Sequence, residues 1–188
     1  LIAGWNWLGY LPQNPGDVGE AFASLGSNAL FINSQTGGAS TNYPQYGMWA
    51  GALTAFEPGN MYLLQMNASR TLVVTGTPVD VATTPIELIA GWNWLGYLPQ
   101  NPGDVTEALS SLGDYALFIN SQADGAATNY PQYGMWAGAL ATLEPGRGYL
   151  LSMDAEATFY YPEFDGLARL AENKQEVVLS GKISGWDV

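Results

Sequence analysis

One stretch of 18 residues occurs twice in this chain, letter for letter, and it constrains the fold more than any other feature. It reads LIAGWNWLGYLPQNPGDV and occupies residues 1–18 and 88–105. The longer segments 1–66 and 88–153 align without a gap and agree at 52 of 66 positions. A repeat of this kind predicts a tandem duplication, in which any functional site occurs twice.

The repeat divides the chain into two units. We predict repeat unit 1 at residues 1–75 and repeat unit 2 at residues 88–162, each long enough for a small core. Residues 76–87 contain two Pro, and we interpret them as a linker. The C-terminal segment, residues 163–188, is expected to cap the pair or to begin a further module. The chain therefore looks like part of a longer protein.

Each unit opens with an alternating stretch that is typical of a β-strand. Between Ile2 and Leu11, Trp5 and Trp7 share one face with Leu11. We expect this face, and its repeat in unit 2, to lie in the core.

A short helix and several strands should follow the opening strand. Asp17 stands three residues before Glu20, a capping-box pattern that predicts a helix over residues 17–25 and again over 104–112. Short apolar runs separated by turn signals then predict about four more strands in each unit. The expected fold class is α+β and β-rich. Each of the two homologous domains should be a small antiparallel sheet or barrel with one short helix.

The charge balance excludes several classes of partner. The chain has 17 acidic and 5 basic residues, and its net charge is −12. Nucleic acids and anionic membrane surfaces are bound through clusters of Lys and Arg, so we expect neither as a partner. No apolar run reaches about 18 residues, so we expect no membrane insertion.

The composition also argues against catalysis. The chain has no Cys and no His, which removes thiol chemistry and the usual general base. Glycoside hydrolysis would need two carboxylates across one cleft, about 5–10 Å apart. The duplicated carboxylates are instead explained by helix capping and by a turn, and we predict that the chain is not an enzyme. They are Asp17, Glu20 and Glu57, with Asp104, Glu107 and Glu144 in unit 2.

Calcium is the one cofactor that the sequence leaves open. Asn14, Asp17 and Asp124 lie in turns and could supply oxygen ligands. The dense Asp-x-Asp spacing of an EF-hand loop does not occur. A solvated turn is therefore the main interpretation, and no cofactor or metal site is predicted.

A duplicated cluster of aromatic and amide side chains is the candidate binding site. Aromatic rings stack on the apolar faces of sugars, amides bind hydroxyl groups, and an uncharged site suits a neutral ligand. The alternative is that both tryptophans are core residues beside glycines, with the tyrosines covering a loop. The cluster comprises Asn42, Tyr43, Gln45, Tyr46 and Trp49, repeated as Asn129, Tyr130, Gln132, Tyr133 and Trp136.

Four landmarks together resemble a repeat of 80–90 residues found in large secreted or surface proteins of bacteria and some algae. They are Gly-Trp-Asn-Trp, then Ser34-Gln35, then Trp-x-Gly-x-Leu from Trp49, then Pro-Gly-x-x-Tyr from Pro58, each repeated 87 residues later. Two positions depart from the pattern: Asn33 replaces an expected Lys, and Met61 replaces a glycine. The resemblance covers residues 1–161 and implies an extracellular or cell-surface module without catalytic residues.

Two functions remain open. The first is a non-catalytic adhesion module that binds a neutral glycan or surface polymer through the duplicated clusters. The second is a structural building block of a lattice, shell, filament or stalk. In that case copies of the chain would meet through aromatic contacts.

Overall fold

The computed structural model describes residues 1–164 and 178–179. Most of the C-terminal segment 163–188, with its expected role as a cap or as a further module, therefore lies outside the described residues. The described chain is β-rich and built from small antiparallel sheets, as the sequence predicts.

Sheet 1 contains five antiparallel strands in the order β1-β5-β2-β3-β4. Strand β5 lies between β1 and β2, so the first and last strands of this segment are neighbours. Strands β1 and β4 form the two edges. The strands are β1 (Gly4–Gly9), β2 (Ala29–Ser34), β3 (Ala39–Tyr43), β4 (Met48–Gly51) and β5 (Met61–Met66).

Sheet 2 has five antiparallel strands in the equivalent order, β6-β10-β7-β8-β9. Its strands are β6 (Gly91–Gly96), β7 (Ala116–Ser121), β8 (Ala126–Tyr130), β9 (Met135–Gly138) and β10 (Gly148–Met153). Within the described residues, four two-stranded ribbons accompany the sheets. They pair Gly16–Asp17 with Ala55–Phe56, Gly103–Asp104 with Thr142–Leu143, Ile86–Leu88 with Ala157–Phe159, and Leu72–Val73 with Val178–Leu179.

The helices begin where the capping pattern places them but end early. Helix α1 (Val18–Ala21) is capped by the Asp17 carboxylate, which accepts a hydrogen bond of 3.0 Å from the Glu20 amide. Helix α2 (Val105–Ala108) has the same cap from Asp104. Short 3-10 segments continue them, at Ala23–Asn28 and Ser110–Tyr115, and further ones lie at Pro44–Tyr46 and Pro131–Tyr133. No helix in the described residues is long and apolar enough to cross a bilayer.

The prediction that Trp5 and Trp7 face the core is wrong. The side chains of Asn6 and Leu8 are buried beneath sheet 1, whereas Trp5 is 44% exposed. Asn6 tolerates burial because its amide oxygen accepts from the Ile2 amide and its nitrogen donates to the Ile2 carbonyl, at 2.8 and 2.9 Å. Sheet 2 repeats this arrangement with Asn93 buried and Trp92 exposed.

Each sheet packs over its own core, and the sheets meet along β1 and β6. Core 1 lies under sheet 1, and core 2 lies under sheet 2. Gln35, which follows β2, contacts the edge strand of sheet 2, and Gln122, which follows β7, contacts the edge strand of sheet 1. The two inner edges are therefore covered, whereas β4 and β9 are the outer edges of their sheets.

Candidate functional site

The candidate site is the hairpin of β3 and β4, with its counterpart of β8 and β9. In the ladder, Asn42 lies opposite Trp49, and Tyr43 lies opposite Met48. The 3-10 turn Pro44–Tyr46 joins the strands, and Gly47 closes it with φ of 63°, a conformation that favours glycine. The sequence therefore brings all five predicted residues onto one hairpin.

The two asparagines fix the hairpin in place. The Asn42 side-chain nitrogen donates to the Gly26 and Ala29 carbonyls at 2.9 and 2.7 Å. Asn129 donates in the same way to the Gly113 and Ala116 carbonyls, both at 2.7 Å. Both N–H groups of each amide are thus used within the fold, which leaves only the amide oxygen for a ligand.

The two tryptophans lie behind the hairpins, and their environments differ. The Trp49 ring is half-buried against Phe22, with ring centroids 5.6 Å apart. Trp136 is only 8% exposed, and its backbone amide donates to the Thr106 hydroxyl at 3.1 Å. Position 19, which corresponds to Thr106, is a glycine that can make no such bond.

The tyrosines and glutamines point to solvent. Tyr46 is 73% exposed and Tyr133 is 74% exposed, and Tyr43 and Tyr130 are each 40% exposed. Gln45 and Gln132 are exposed beside them. These residues leave aromatic and amide groups free at the tip of each hairpin.

Sequence reasoning missed one pair of exposed residues, Met48 and Met135. Met48 is 49% exposed and lies opposite Tyr43, and Met135 is 45% exposed and lies opposite Tyr130. Directly opposite residues share one sheet face, so the hairpin pairing would have signalled this contact. We call the set Tyr43, Gln45, Tyr46 and Met48 patch 1, and the set Tyr130, Gln132, Tyr133 and Met135 patch 2.

The acidic residues stand apart from the patches. The residues from 42 to 49 carry no charge, and neither do residues 129 to 136. Asp17 caps helix α1, and Asp124 forms an ion pair with Arg147. Within residues 1–164 and 178–179, no three His, Cys, Asp or Glu residues gather in a group that could hold a metal ion.

A cleft of about 360 Å³ between the sheets is lined by two carboxylates, Glu57 and Glu87, and by Trp94. Both glutamates are exposed, and Glu87 accepts a hydrogen bond of 2.9 Å from the Thr158 hydroxyl. A general acid needs a desolvated environment to hold its proton at neutral pH, and these positions do not provide one. The cleft therefore gives no support to hydrolysis.

Burial raises the pKa of several tyrosines, all of them in the cores. The pKa of Tyr149 rises to about 12 because the ring is buried beneath sheet 2. Burial also raises the pKa of Tyr97 and of Tyr161. These hydroxyls bond to backbone groups, as Tyr97 does to the Asn101 carbonyl at 2.9 Å, so they stabilise the fold and stand apart from the patches.

No known protein family, no curated protein and no solved structure matches the chain.

Proposed function

We propose that the chain is a non-catalytic extracellular or cell-surface module that binds a neutral glycan or surface polymer through patches 1 and 2. The observation that supports this most strongly is the equal exposure of the patches. Tyr46 and Tyr133 are exposed to 73% and 74%, and Tyr43 and Tyr130 both to 40%. Trp49 and Trp136 lie behind the patches and differ in exposure. The equal exposure is therefore a property of the residues that face solvent.

The chemistry of the patches suits an uncharged sugar. Tyrosine rings offer flat apolar faces together with a hydroxyl, and exposed glutamine amides can both donate and accept hydrogen bonds. Because no charged residue lies in either hairpin, a charged ligand would find no counterion there. The asparagines and tryptophans would hold the hairpin rigid, so little entropy is lost on binding.

Two equal patches on one chain would act together on a polymer. Once patch 1 is bound, patch 2 meets its ligand at a high effective concentration, and avidity exceeds the affinity of either patch. The gain disappears for a ligand too short to reach both patches. Long polysaccharides should therefore bind more tightly than their oligosaccharides.

We also infer that the two halves are homologous small domains that arose by duplication, with unit 1 at residues 1–75 and unit 2 at residues 88–162. The agreement at 52 of 66 positions supports this. So does the matching strand order of the two sheets.

The test is light scattering and affinity electrophoresis with a panel of neutral polysaccharides. We expect one polysaccharide to slow the migration of the protein in affinity electrophoresis and to raise the mass measured by light scattering; both effects are called the shift. Tyr46→Ala with Tyr133→Ala should abolish the shift, and each single variant should weaken it equally. Tyr115→Ala is the matched control, because Tyr115 is 56% exposed and lies outside both patches. Loss of binding in the control, or no binding to any polysaccharide, would contradict the proposal.

Self-assembly is the second candidate, and the outer edge strands favour it. Strands β4 and β9 each end a sheet, carry an exposed Met and contain no Lys or Pro that would discourage pairing. A mass that grows with protein concentration, without any effect of polysaccharide, would favour this candidate over glycan binding.

A further inference from the structure

The two sheets contact each other through two equivalent pairs of hydrogen bonds, one made by Gln35 and one by Gln122. We call the residues of each unit that make this contact its docking surface. The Gln35 side chain donates to the Trp92 carbonyl and accepts from the Trp94 amide, both at 2.7 Å. Gln122 makes the equivalent pair of bonds to the Trp5 carbonyl and the Trp7 amide. Each glutamine thus supplies one peptide-like group to an open strand edge.

Two backbone bonds repeat the same symmetry. The Gly9 amide donates to the Gly146 carbonyl at 2.9 Å, and the Gly96 amide donates to the Gly59 carbonyl at 2.8 Å. All four partners are related by the repeat spacing, so the contact has an approximate twofold axis. In such a contact each surface both gives and receives the same bonds. The pair is therefore closed and leaves neither glutamine for a third module.

The approach at the axis is close enough to require glycine. A Cβ on Gly96 would lie 2.6 Å from the Asn60 carbonyl oxygen, and one on Gly9 would lie 2.8 Å from the Arg147 carbonyl oxygen. Both distances are shorter than Cβ atoms tolerate. The part of the contact that both repeats share is thus made by backbone groups and glycines.

One position at the axis breaks the symmetry. Met61 lies beside Gly9 in the ladder and is completely buried, whereas the equivalent residue beside Gly96 is Gly148. A Cβ on Gly148 would overlap the Met61 side chain, whose sulfur would be 2.6 Å away. Gly148 has no positive φ, so its backbone does not itself require glycine. Met61 is what requires glycine there.

We propose that this contact is a pairing surface specific for an unlike module: the surface with Met61 fits one with glycine at the facing position and rejects a second copy of itself. Two Met61 surfaces would place two methionines in one space, and overpacking of this kind is destabilising. Two Gly148 surfaces would leave a void in place of one side chain, which is also unfavourable. Only one Met together with one Gly fills the space at the twofold axis without overlap and without a void.

The proposal does not rest on glycan binding, and it restricts assembly. Because the docking surfaces close on each other, growth of a filament or lattice could not pass through them. Any self-assembly would have to use the outer edges β4 and β9. Modules of this kind would accordingly come in unlike pairs.

The experiment uses the full chain in three variants: Gly148→Met, Met61→Gly, and both together. Gly148→Met places two methionines at the axis, and we expect the melting temperature to fall by roughly 5–10 °C. Exchange of the clamped Trp7 and Trp94 amides should become about tenfold faster or more, because the edge opens locally. The double variant restores a Met–Gly pair in the opposite orientation, and it should recover most of both losses.

Gly148→Ala is the graded control and should give a smaller fall than Gly148→Met. A double variant that melts as low as Gly148→Met would overturn the proposal, since Gly148 would then be required by its own surroundings. Wild-type melting of Gly148→Met would overturn it as well. Light scattering adds a third criterion. Gly148→Met should have the same mass as the wild type, and a dimer that the wild type does not form would show that like surfaces pair.

Discussion

The two cores place their aromatic rings in different parts of the chain. In core 1, Phe56 packs against Tyr10 and Tyr62, with ring centroids 5.4 and 4.7 Å apart, and Phe22 lies 5.0 Å from Phe56. The positions in core 2 that correspond to the two phenylalanines are leucines, Leu109 and Leu143.

In core 2, aromatic rings come instead from the segment that follows sheet 2. Phe159 and Tyr161 pack together at 4.6 Å, and Tyr161 lies 5.1 Å from Tyr97. The corresponding positions in core 1 are Leu72 and Val74. The large aromatic side chains therefore lie in different segments in the two cores, while the strand order is the same. A core needs a given volume at a given place, and more than one set of residues can supply it.

The largest effect should come from Phe56→Ala, which empties the centre of core 1. We expect urea unfolding to show that the free energy of unfolding falls by about 3–5 kcal/mol. If bulk can be exchanged as the comparison suggests, Phe56→Leu together with Leu72→Phe should be more stable than Phe56→Leu alone. Ile89→Ala, at an exposed position, is the control and should change stability little. A double variant less stable than Phe56→Leu would show that the aromatic ring cannot be moved from position 56 to position 72.

Alkaline pH should weaken both cores, because burial raises the pKa of Tyr10 and Tyr62 in core 1 as well as that of three tyrosines in core 2. Burial raises the folded-state pKa of Tyr97, Tyr149 and Tyr161 above the unfolded value near 10, so the folded chain holds their protons longer. This stability is complete below pH 10 and is lost as pH rises towards the folded pKa, which is about 12 for Tyr149. Each such tyrosine should remove about 1.4 kcal/mol per pH unit above 10.

Tyr161→Phe tests this dependence. Urea unfolding at pH 8, 10 and 11 should show a shallower loss above pH 10 in the variant than in the wild type. Tyr46→Phe is the control, because Tyr46 is exposed and lies outside both cores. An identical slope in Tyr161→Phe would show that this ring does not contribute to the alkaline loss.

The glutamine clamps should be equal, in contrast to the cores. Gln35→Ala and Gln122→Ala each remove two hydrogen bonds to a strand edge, and each should lower stability by about 1–3 kcal/mol. Gln45→Ala removes an exposed glutamine of patch 1 and serves as the control. If urea unfolding showed that the two variants lose different amounts of stability, the docking contact would be less symmetric in energy than in its hydrogen-bond pattern.

The smallest effect concerns Gly19, where the hairpin of sheet 1 lacks the bond that Thr106 makes in sheet 2. Gly19 has no positive φ, and a Cβ there would meet the Trp49 ring at 3.7 Å and the Asp17 carboxylate at 3.1 Å. Gly19→Thr should add the hydroxyl bond to the Trp49 amide and raise stability by about 1 kcal/mol. Thr106→Gly should lower it by a similar amount. Thermal unfolding measures both, and destabilisation by Gly19→Thr would show that the Asp17 cap cannot make room.

Much of the local structure could be predicted from the sequence, because turns and caps are short-range features. The Asp17 cap and the β-rich class follow from adjacent residues. The buried face of β1 could not be predicted, since both faces carry large apolar groups. Asn6 is buried only because the backbone of Ile2 satisfies its amide.

The sequence alone shows that one pattern occurs twice and that residues 42–49 and 129–136 are uncharged and rich in aromatic side chains. How the two repeats contact each other depends on the folded structure. The Ser-Gln landmark became a clamp because Gln35 reaches a strand 57 residues away, a distance that no local pattern encodes. The exchange of aromatic bulk and the pairing of Met61 with Gly148 have the same cause. Packing depends on which side chains share a volume, and distant segments of a chain meet in that volume only after folding.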